Sequence, residues 1–248
     1  MVLKNEELQR KKVTVKRRII RLNYEKGTTE SVQDEVVTET AIRLFVNNKL
    51  FTVFTCSPDK TRELVVGHLL TQRAIKNPTE ILRLCFEKEK AIVKLGENNG
   101  RNKKVKKPIR PHDFIIVPET VFNIAKKLDL DSAVFRMTGG THAAAMFSGK
   151  GEVIAFSEDI SRHNAVDKVI GEAVLEHINL RQTVLALTGR LASEIVEKAA
   201  NVGVPIMISL ATTTDKGIDV AKRRGVTLIG FVRGGRFNVY THPERLSL

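Results

Sequence analysis

Residues 135–168 read FRMTGGTHAAAMFSGKGEVIAFSEDISRHNAVDK. One apolar run, Ala133 to Met137, leads into Thr138-Gly139-Gly140-Thr141-His142. A second, Val153 to Phe156, leads into Glu158-Asp159 and then Arg162-His163-Asn164. Both runs have the length and content of buried strands, and Ser161 to His177 has the apolar spacing of a helix. Glycines, histidines, carboxylates and arginines thus gather at the ends of two expected strands and the start of a helix. No core requires that mixture, so the stretch reads as a functional site.

Downstream, strands and helices alternate. Thr183 to Leu187 reads as a strand, and Leu191 to Val202 as a helix with Gly203 at its C-cap. Val204 to Leu210 is a strand, Asp215 to Arg224 a helix stopped by Gly225, and Val226 to Val232 and Phe237 to Tyr240 are the last strands. This alternation predicts an α/β layer fold with a largely parallel central sheet. Upstream the pattern is β-rich. Val13 to Leu22 can form an edge strand, and Asn47-Asn48 between two apolar runs predicts a hairpin. Ser57-Pro58-Asp59 offers an N-cap to a helix carrying Leu64, His68 and Gln72 on one face. His68 reads as a packed or half-exposed helix residue rather than a ligand. Ile81 to Phe86 and Ala91 to Leu95 are two more strands, and Val117-Pro118-Glu119 starts a helix. Residues 96–110, GENNGRNKKVKKPIR, form a polar connection. The organisation is therefore a basic lead-in (1–34), a small β-rich part ending in a basic loop (35–110) and an α/β domain (111–248).

The 248 residues are 42% hydrophobic, enough for a sizeable core, and no run approaches the roughly 18 apolar residues of a membrane span. The two cysteines, Cys56 and Cys85, fall in separate expected strands, so a disulfide framework is not expected and the cytoplasm is the default compartment. The net charge of +13 is concentrated. Residues 1–22 and 101–110 each carry +6, which leaves the other 216 residues at +1. Two basic appendages on a near-neutral body suit solvated charge or an anionic partner. Neither run interleaves aromatics and the chain has no Trp, which argues against nucleic acid.

Ligands of α/β sheets bind beyond the carboxyl ends of strands. Three loops in that position are expected here: Thr138 to His142, Thr188-Gly189-Arg190, and Ala211 to Thr214. Small residues, hydroxyls and a following helix suit an anion such as phosphate. His163 and Asp167, at i and i+4, share a helix face, so the carboxylate could orient the imidazole. In Phe231-Val232-Arg233-Gly234-Gly235-Arg236 the glycine pair fits a two-residue hairpin turn, and the flanking arginines could grip phosphate or carboxylate. A zinc-deaminase reading fails, because His142 is followed by three alanines and no Cys-x-x-Cys exists.

Taken together, ETAIRLFVNN (39–48), FRMTGGTHAAAMF (135–147), EDISRHNAVDKVIG (158–171), TGRLASEIVEKAANVGVPI (188–206) and GFVRGGRFNVYTHPERL (230–246) resemble the FdhD family of formate dehydrogenase accessory sulfur carriers. The resemblance runs from about residue 35 to the end. It implies a cytidine-deaminase-like three-layer α/β/α fold without zinc, in a cytoplasmic homodimer. It implies cysteine desulfurase and formate dehydrogenase as partners. The bound client would be the molybdenum (or tungsten) bis-molybdopterin guanine dinucleotide cofactor, held at Phe231 to Arg236. It also implies a Cys-x-x-Cys persulfide carrier in the loop before the main domain, yet residues 96–110 contain no cysteine. Three readings stay open: a cofactor chaperone, sulfur transfer through Cys56 or Cys85, and a nucleotide-processing enzyme using His163, Asp167 and Glu158. RNA binding through the basic appendages is a fourth.

Overall fold

The computed structural model describes residues 2–3, 12–96, 108–109 and 114–247. Residues 1 and 4–11 of the first basic run, and residues 101–107 and 110 of the second, therefore lie outside the described residues. The chain opens with a short strand β1 (Val2–Leu3) and a long hairpin of β2 (Thr14–Asn23) and β3 (Thr28–Val37). Next come β4 (Thr40–Val46), β5 (Lys49–Cys56), helix α1 (Thr61–Thr71), β6 (Ile81–Glu87) and β7 (Lys90–Leu95). The β4–β5 turn is the expected one: Asn47 and Asn48 both take positive φ, 47° and 65°, as a two-residue hairpin requires. These strands form a sheet of order β1-β6-β7-β4-β5, and its inner face packs on α1 through Ile42, Leu44, Phe54 and Leu64. The residue 34/35 division falls inside β3.

The second part holds α2 (Pro118–Asp131), α3 (Ala133–Thr138), β8 (His142–Ser148), β9 (Val153–Asp159) and α4 (Arg162–Leu175). It continues with β10 (Thr183–Leu187), α5 (Ser193–Val202), β11 (Ile206–Ser209), α6 (Asp215–Arg224), β12 (Thr227–Arg233) and β13 (Arg236–Thr241). Its sheet has the order β13-β12-β11-β10-β8-β9. One face packs on α4, α5 and α6 through residues such as Met146, Leu185, Val166 and Ile195. The other packs on α2 through Phe147, Ile208 and Ile124. This is a three-layer α/β/α arrangement, and Gly203 and Gly225 cap α5 and α6 in the left-handed conformation as expected.

Three expectations need correction. The sheet is mixed: only β10, β11 and β12 run parallel, while β8, β9 and β13 pair antiparallel. Ala133 to Met137 is a helix, not a strand. A run this short cannot separate strand from helix by periodicity. The deciding contact is distant: Glu158 accepts the N–H groups of Val134 and Phe135 at 2.8 and 2.7 Å, satisfying the helix start. Phe135 and Met137 consequently lie on the surface. Third, the Ser57–Asp59 segment does not cap α1. Lys60 occupies that position at φ 47°, and no side chain bonds the helix start.

Helix α1 joins the two parts by lying against α4. The crossing is glycine to glycine. A Cβ on Gly67 would stand 1.8 Å from the Asp167 carbonyl oxygen, and one on Gly171 would stand 2.0 Å from that of Glu63. Backbone meets backbone here, which brings α1 side chains within reach of the polar residues of α4.

Candidate functional site

Because β8 runs antiparallel to β10, its amino end lies beside the carboxyl end of β10, with Ala144 opposite Leu187. The Thr138 to His142 loop is therefore not the exit of a strand but the entrance to one. It still reaches the sheet end that carries Thr188 to Arg190, Ala211 to Thr214 and the β12–β13 turn. The four segments follow the strand order β8, β10, β11, β12. At a spacing of about 4.8 Å per strand, they span roughly 14 Å.

Within these segments most polar groups are satisfied by the chain. Thr188 Oγ1 receives the Ala143 N–H at 3.1 Å, Ser209 Oγ donates to the Gly189 carbonyl at 2.8 Å, and Thr214 Oγ1 caps α6 at Gly217. Thr141 Oγ1 donates to Glu158 at 2.9 Å. Gly139 and Gly140 are exposed, but their N–H groups are bonded to the Phe135 carbonyl at 2.6 Å and to Thr138 Oγ1 at 3.1 Å. Arg190 is exposed and cationic. Arg162 lies over Gly189, where its Cδ is 2.9 Å from the position of a Cβ. Burial, then the Arg162 charge, hold the His142 pKa below its ordinary value. Burial, then Lys198 and Arg162, do the same for His163 against the opposite pull of Glu194 and Asp167. Both imidazoles thus favour the neutral form beside a permanent cation.

The hairpin turn is the expected one, with Gly234 and Gly235 at φ 58° and 75°. Phe231 takes φ 61° at a register shift in the β12–β13 ladder. The bulge anchors the hairpin to its neighbour, since the Phe231 N–H donates to the Ala211 carbonyl at 2.7 Å. It also turns the ring under the guanidinium groups: Arg233 Cζ sits 3.7 Å from the ring centroid and Arg236 Cζ 6.0 Å. Both arginines are exposed, and among the described residues no atom comes within 4 Å of a Cβ built on either glycine. An open turn with two cations and bare peptide N–H groups is suited to an anion.

The carboxylates behave differently from the sequence reading. Asp167 does not orient His163. It is fully buried and takes His68 Nδ1 at 2.8 Å, Thr71 Oγ1 at 2.8 Å and Lys198 Nζ. The close α1–α4 crossing presents His68 to it, and His163 faces Glu194 instead, at 3.7 Å. Burial would raise the Asp167 pKa, but the Lys198 ammonium and then His68 outweigh it and hold the carboxyl below its ordinary range. Asp159 accepts from Ser57, Ser161 and Asn164, and pairs with the fully buried Lys168 at 2.8 Å. Ser57-Pro58-Asp59-Lys60 has the Ser-x-x-Lys spacing of some acyl-transfer nucleophiles. Here Ser57 is fully buried and bonded to Lys168, while Lys60 turns to the Phe156 carbonyl and Glu172.

Sequence reasoning missed His68, Thr71 and Lys198 as partners of Asp167. Lys198, inside the buried stripe of Ile195, Val196, Ala199 and Ala200, was the available signal. A cleft of about 720 Å³ opens beside this cluster, between β5 and α5, and of the nominated residues His163 and Asp167 line it. Both cysteines are buried. Burial, then Asp159, push the Cys56 thiol up to about 12, and Cys85 Sγ contacts the Ile92 carbonyl at 3.8 Å.

The family model of the FdhD/NarQ family matches residues 37–111 and 95–247. The chain belongs to the FdhD/NarQ family. Its relatives include the sulfur carrier protein FdhD of Sulfolobus acidocaldarius, 34% identical over 240 residues that cover 90% of this chain and 95% of that protein. The protein of the same name from Bacillus subtilis is 32% identical, covering 95% and 98%. A crystal structure assigned as a formate dehydrogenase accessory protein, from Desulfotalea psychrophila, superposes with a TM-score of 0.83 over 95% of this chain and all of the other. At 24% identity it shows that the fold is shared. The FVRGGR stretch quoted for the family resemblance is the open arginine hairpin.

Proposed function

We infer that this chain is an accessory protein of formate dehydrogenase maturation that holds a guanylated molybdopterin cofactor as its client. It acts as a chaperone for that cofactor, with no persulfide relay through its own cysteines. The observation that carries the reading is the hairpin at Phe231 to Arg236, where two exposed guanidiniums flank a Gly-Gly turn over an aromatic ring. The fit is chemical. A guanine dinucleotide presents phosphates and a flat base, and the hairpin presents cations, free peptide N–H groups and a ring face. The other loops at this sheet end continue the line with Arg190, Arg162 and two neutral imidazoles. Their span of roughly 14 Å is the scale of a dinucleotide rather than of a single phosphate. The relatives are named sulfur carriers, but persulfide transfer needs a thiolate, and the buried Cys56, with its pKa near 12, does not supply one.

Equilibrium binding of GDP, followed by calorimetry, tests the reading. Arg233→Ala and Arg236→Ala are expected to weaken binding by about tenfold each, as loss of one charge-assisted contact of roughly 1.5 kcal/mol implies. Binding unchanged in both variants would overturn it.

A further inference from the structure

The cleft beside the Asp167 cluster has a strand for one wall. Strand β5 ends the small sheet, with β4 as its neighbour. The Thr55 carbonyl accepts Asn164 Nδ2 at 2.7 Å from outside that sheet. By the two-residue alternation of an antiparallel ladder, the Thr55 N–H and the N–H and C=O of Val53 point the same way. None of these three groups can reach β4, which lies on the other side. Natural edges are usually blunted by proline or charge, but the stretch from Leu50 to Cys56 has neither. Its side chains are apolar and uncovered at Phe51 and Val53, which are 41% and 53% exposed.

The other wall is α5. Ser193, Glu194, Glu197, Lys198 and Asn201 line the cleft at helical spacing, so one face of α5 looks at β5 across about 720 Å³. Helix α1 supplies the floor with His68, Thr71 and Gln72. Phe51 stands at the register shift in the β4–β5 ladder, and its ring meets the His68 ring edge-on at 6.0 Å. One end of the groove is therefore apolar, and Asn164 closes the other end at Thr55. The charge of the groove is definite. Lys198 pairs with Asp167, and Arg224 pairs with Glu197 at 2.7 Å. Glu194 remains, 80% exposed at its side chain, and its neighbour at 3.7 Å is His163, which is held neutral. The groove thus presents a carboxylate with no cation of the described residues upon it.

We propose that this groove takes an extended basic segment of a partner protein, which adds to the small sheet as a strand beside β5. Its main chain pairs with Val53 and Thr55. One of its Lys or Arg side chains reaches Glu194, and an aliphatic side chain two residues away, on the same face, covers Phe51 and His68. Main-chain bonds supply attraction that any extended segment shares, and the unpaired carboxylate selects a basic one. A small cation would satisfy Glu194 alone. The two-residue rhythm of open backbone groups on β5 is matched by another strand. The strand wall belongs to the small sheet, so the inference stands apart from the arginine hairpin and its client.

Fluorescence polarisation of a labelled, end-blocked hexapeptide of alternating valine and lysine, titrated with the full chain, tests this. Saturable binding is expected, at least tenfold tighter than for the valine–glutamate counterpart. Val53→Pro removes an N–H that faces the groove while keeping the β4 ladder. It should weaken peptide binding at least tenfold and leave GDP binding unchanged, because the β12–β13 hairpin is not touched. Glu194→Lys, at an exposed helix position, should reverse the preference between the two peptides, and it decides alone if Val53→Pro does not fold. Absence of saturable binding overturns the proposal, and so does binding that survives both substitutions. Two other occupants of the groove give distinct results, and either also overturns it. If Arg10→Glu/Lys11→Glu/Lys12→Glu tightens peptide binding tenfold, the chain's own lead-in fills the groove. If the peptide lowers the mass measured by light scattering, a second copy does.

Discussion

Replacing Gly67 by alanine probes the joint on which the cluster around Asp167 depends. The new methyl carbon would stand 1.8 Å from the Asp167 carbonyl oxygen, 2.7 Å from its carbon and 2.9 Å from the Gly171 nitrogen. All three obstacles are backbone, so no side-chain rotation relieves the contact. The shortfall against a 3.0 Å approach is 1.2 Å, and α1 and α4 must separate by about that much. Two effects oppose each other. Alanine in a helix interior is favoured over glycine by about 0.5 to 1 kcal/mol. Overpacking a core costs about 1 to 3 kcal/mol, at the upper end where nothing can yield. The clash wins, with a net loss of about 2 kcal/mol and a Tm about 4 to 8 °C lower for a chain of this size. Separation also draws His68 away from Asp167. Urea unfolding followed by circular dichroism measures the loss, with Gly96→Ala as control, since among the described residues no atom lies within 4 Å of a Cβ there. Gly171→Ala should behave like Gly67→Ala, and the double variant should lose less than the sum, because one separation relieves both contacts. A loss under about 0.5 kcal/mol in Gly67→Ala, within the range of ordinary surface substitutions, would refute the close crossing.

Thiol reactivity follows from the burial of both cysteines. With a pKa near 12, about one Cys56 in ten thousand is a thiolate at pH 8, so a thiol reagent should leave the native chain unlabelled and modify two groups in denaturant. Rapid labelling of Cys56 in the native chain would return sulfur transfer to consideration. Acid sensitivity has a definite sign. His142, His163 and Asp167 all bind a proton less readily folded than unfolded, so the unfolded chain takes up more protons as the pH falls and stability falls with it. The histidine part is lost as the pH drops below their ordinary value of 6.5, and the Asp167 part below 3.8. Urea midpoints measured from pH 7 to 5 should therefore decline, and His142→Gln/His163→Gln should flatten the decline; an equal slope in the double variant would contradict the assignment.

Local signals located most elements, and distant contacts account for the misreadings. Asn47-Asn48, Gly203, Gly225 and Gly234-Gly235 are legible because positive φ is a local requirement that few residues meet. The segment at 133–138 is not legible, because the acceptor that starts its helix is Glu158, more than twenty residues away. The mixed sheet is hidden for a related reason. Strand direction depends on how β8 enters, and the same apolar run serves either direction. For the site, residue types pointed to one end of the sheet, because loops after β10, β11 and β12 must gather there. Pairings within it were not readable. The i, i+4 spacing of His163 and Asp167 is real, but a glycine crossing delivers His68 to the same carboxylate. Only Gly67 and Gly171, at matching depth in two helices, hinted at that approach.

The pattern of satisfied groups separates the seam of this molecule from its site. Glu158 binds two peptide N–H groups and a threonine, Asp159 binds a lysine, two side chains and two peptide N–H groups, and Asp167 binds histidine, threonine and lysine. A carboxylate whose oxygens already meet that many donors has little remaining capacity to accept a proton from a substrate. Acid–base processing of a nucleotide would need at least one of them free, so the geometry counts against that alternative. The same bonds explain why so many polar residues are buried between α1 and α4, where leaving one partner unpaired costs about 3 to 5 kcal/mol. The groups the fold leaves open are of the opposite kind. Arg190, Arg233 and Arg236 point no carboxylate of the chain into an ion pair among the described residues, and His142 and His163 are held neutral beside Arg162. A sheet end that buries its anions in the seam and exposes its cations supports the anionic client proposed above, and on that proposal the chemistry the client undergoes is supplied by other groups.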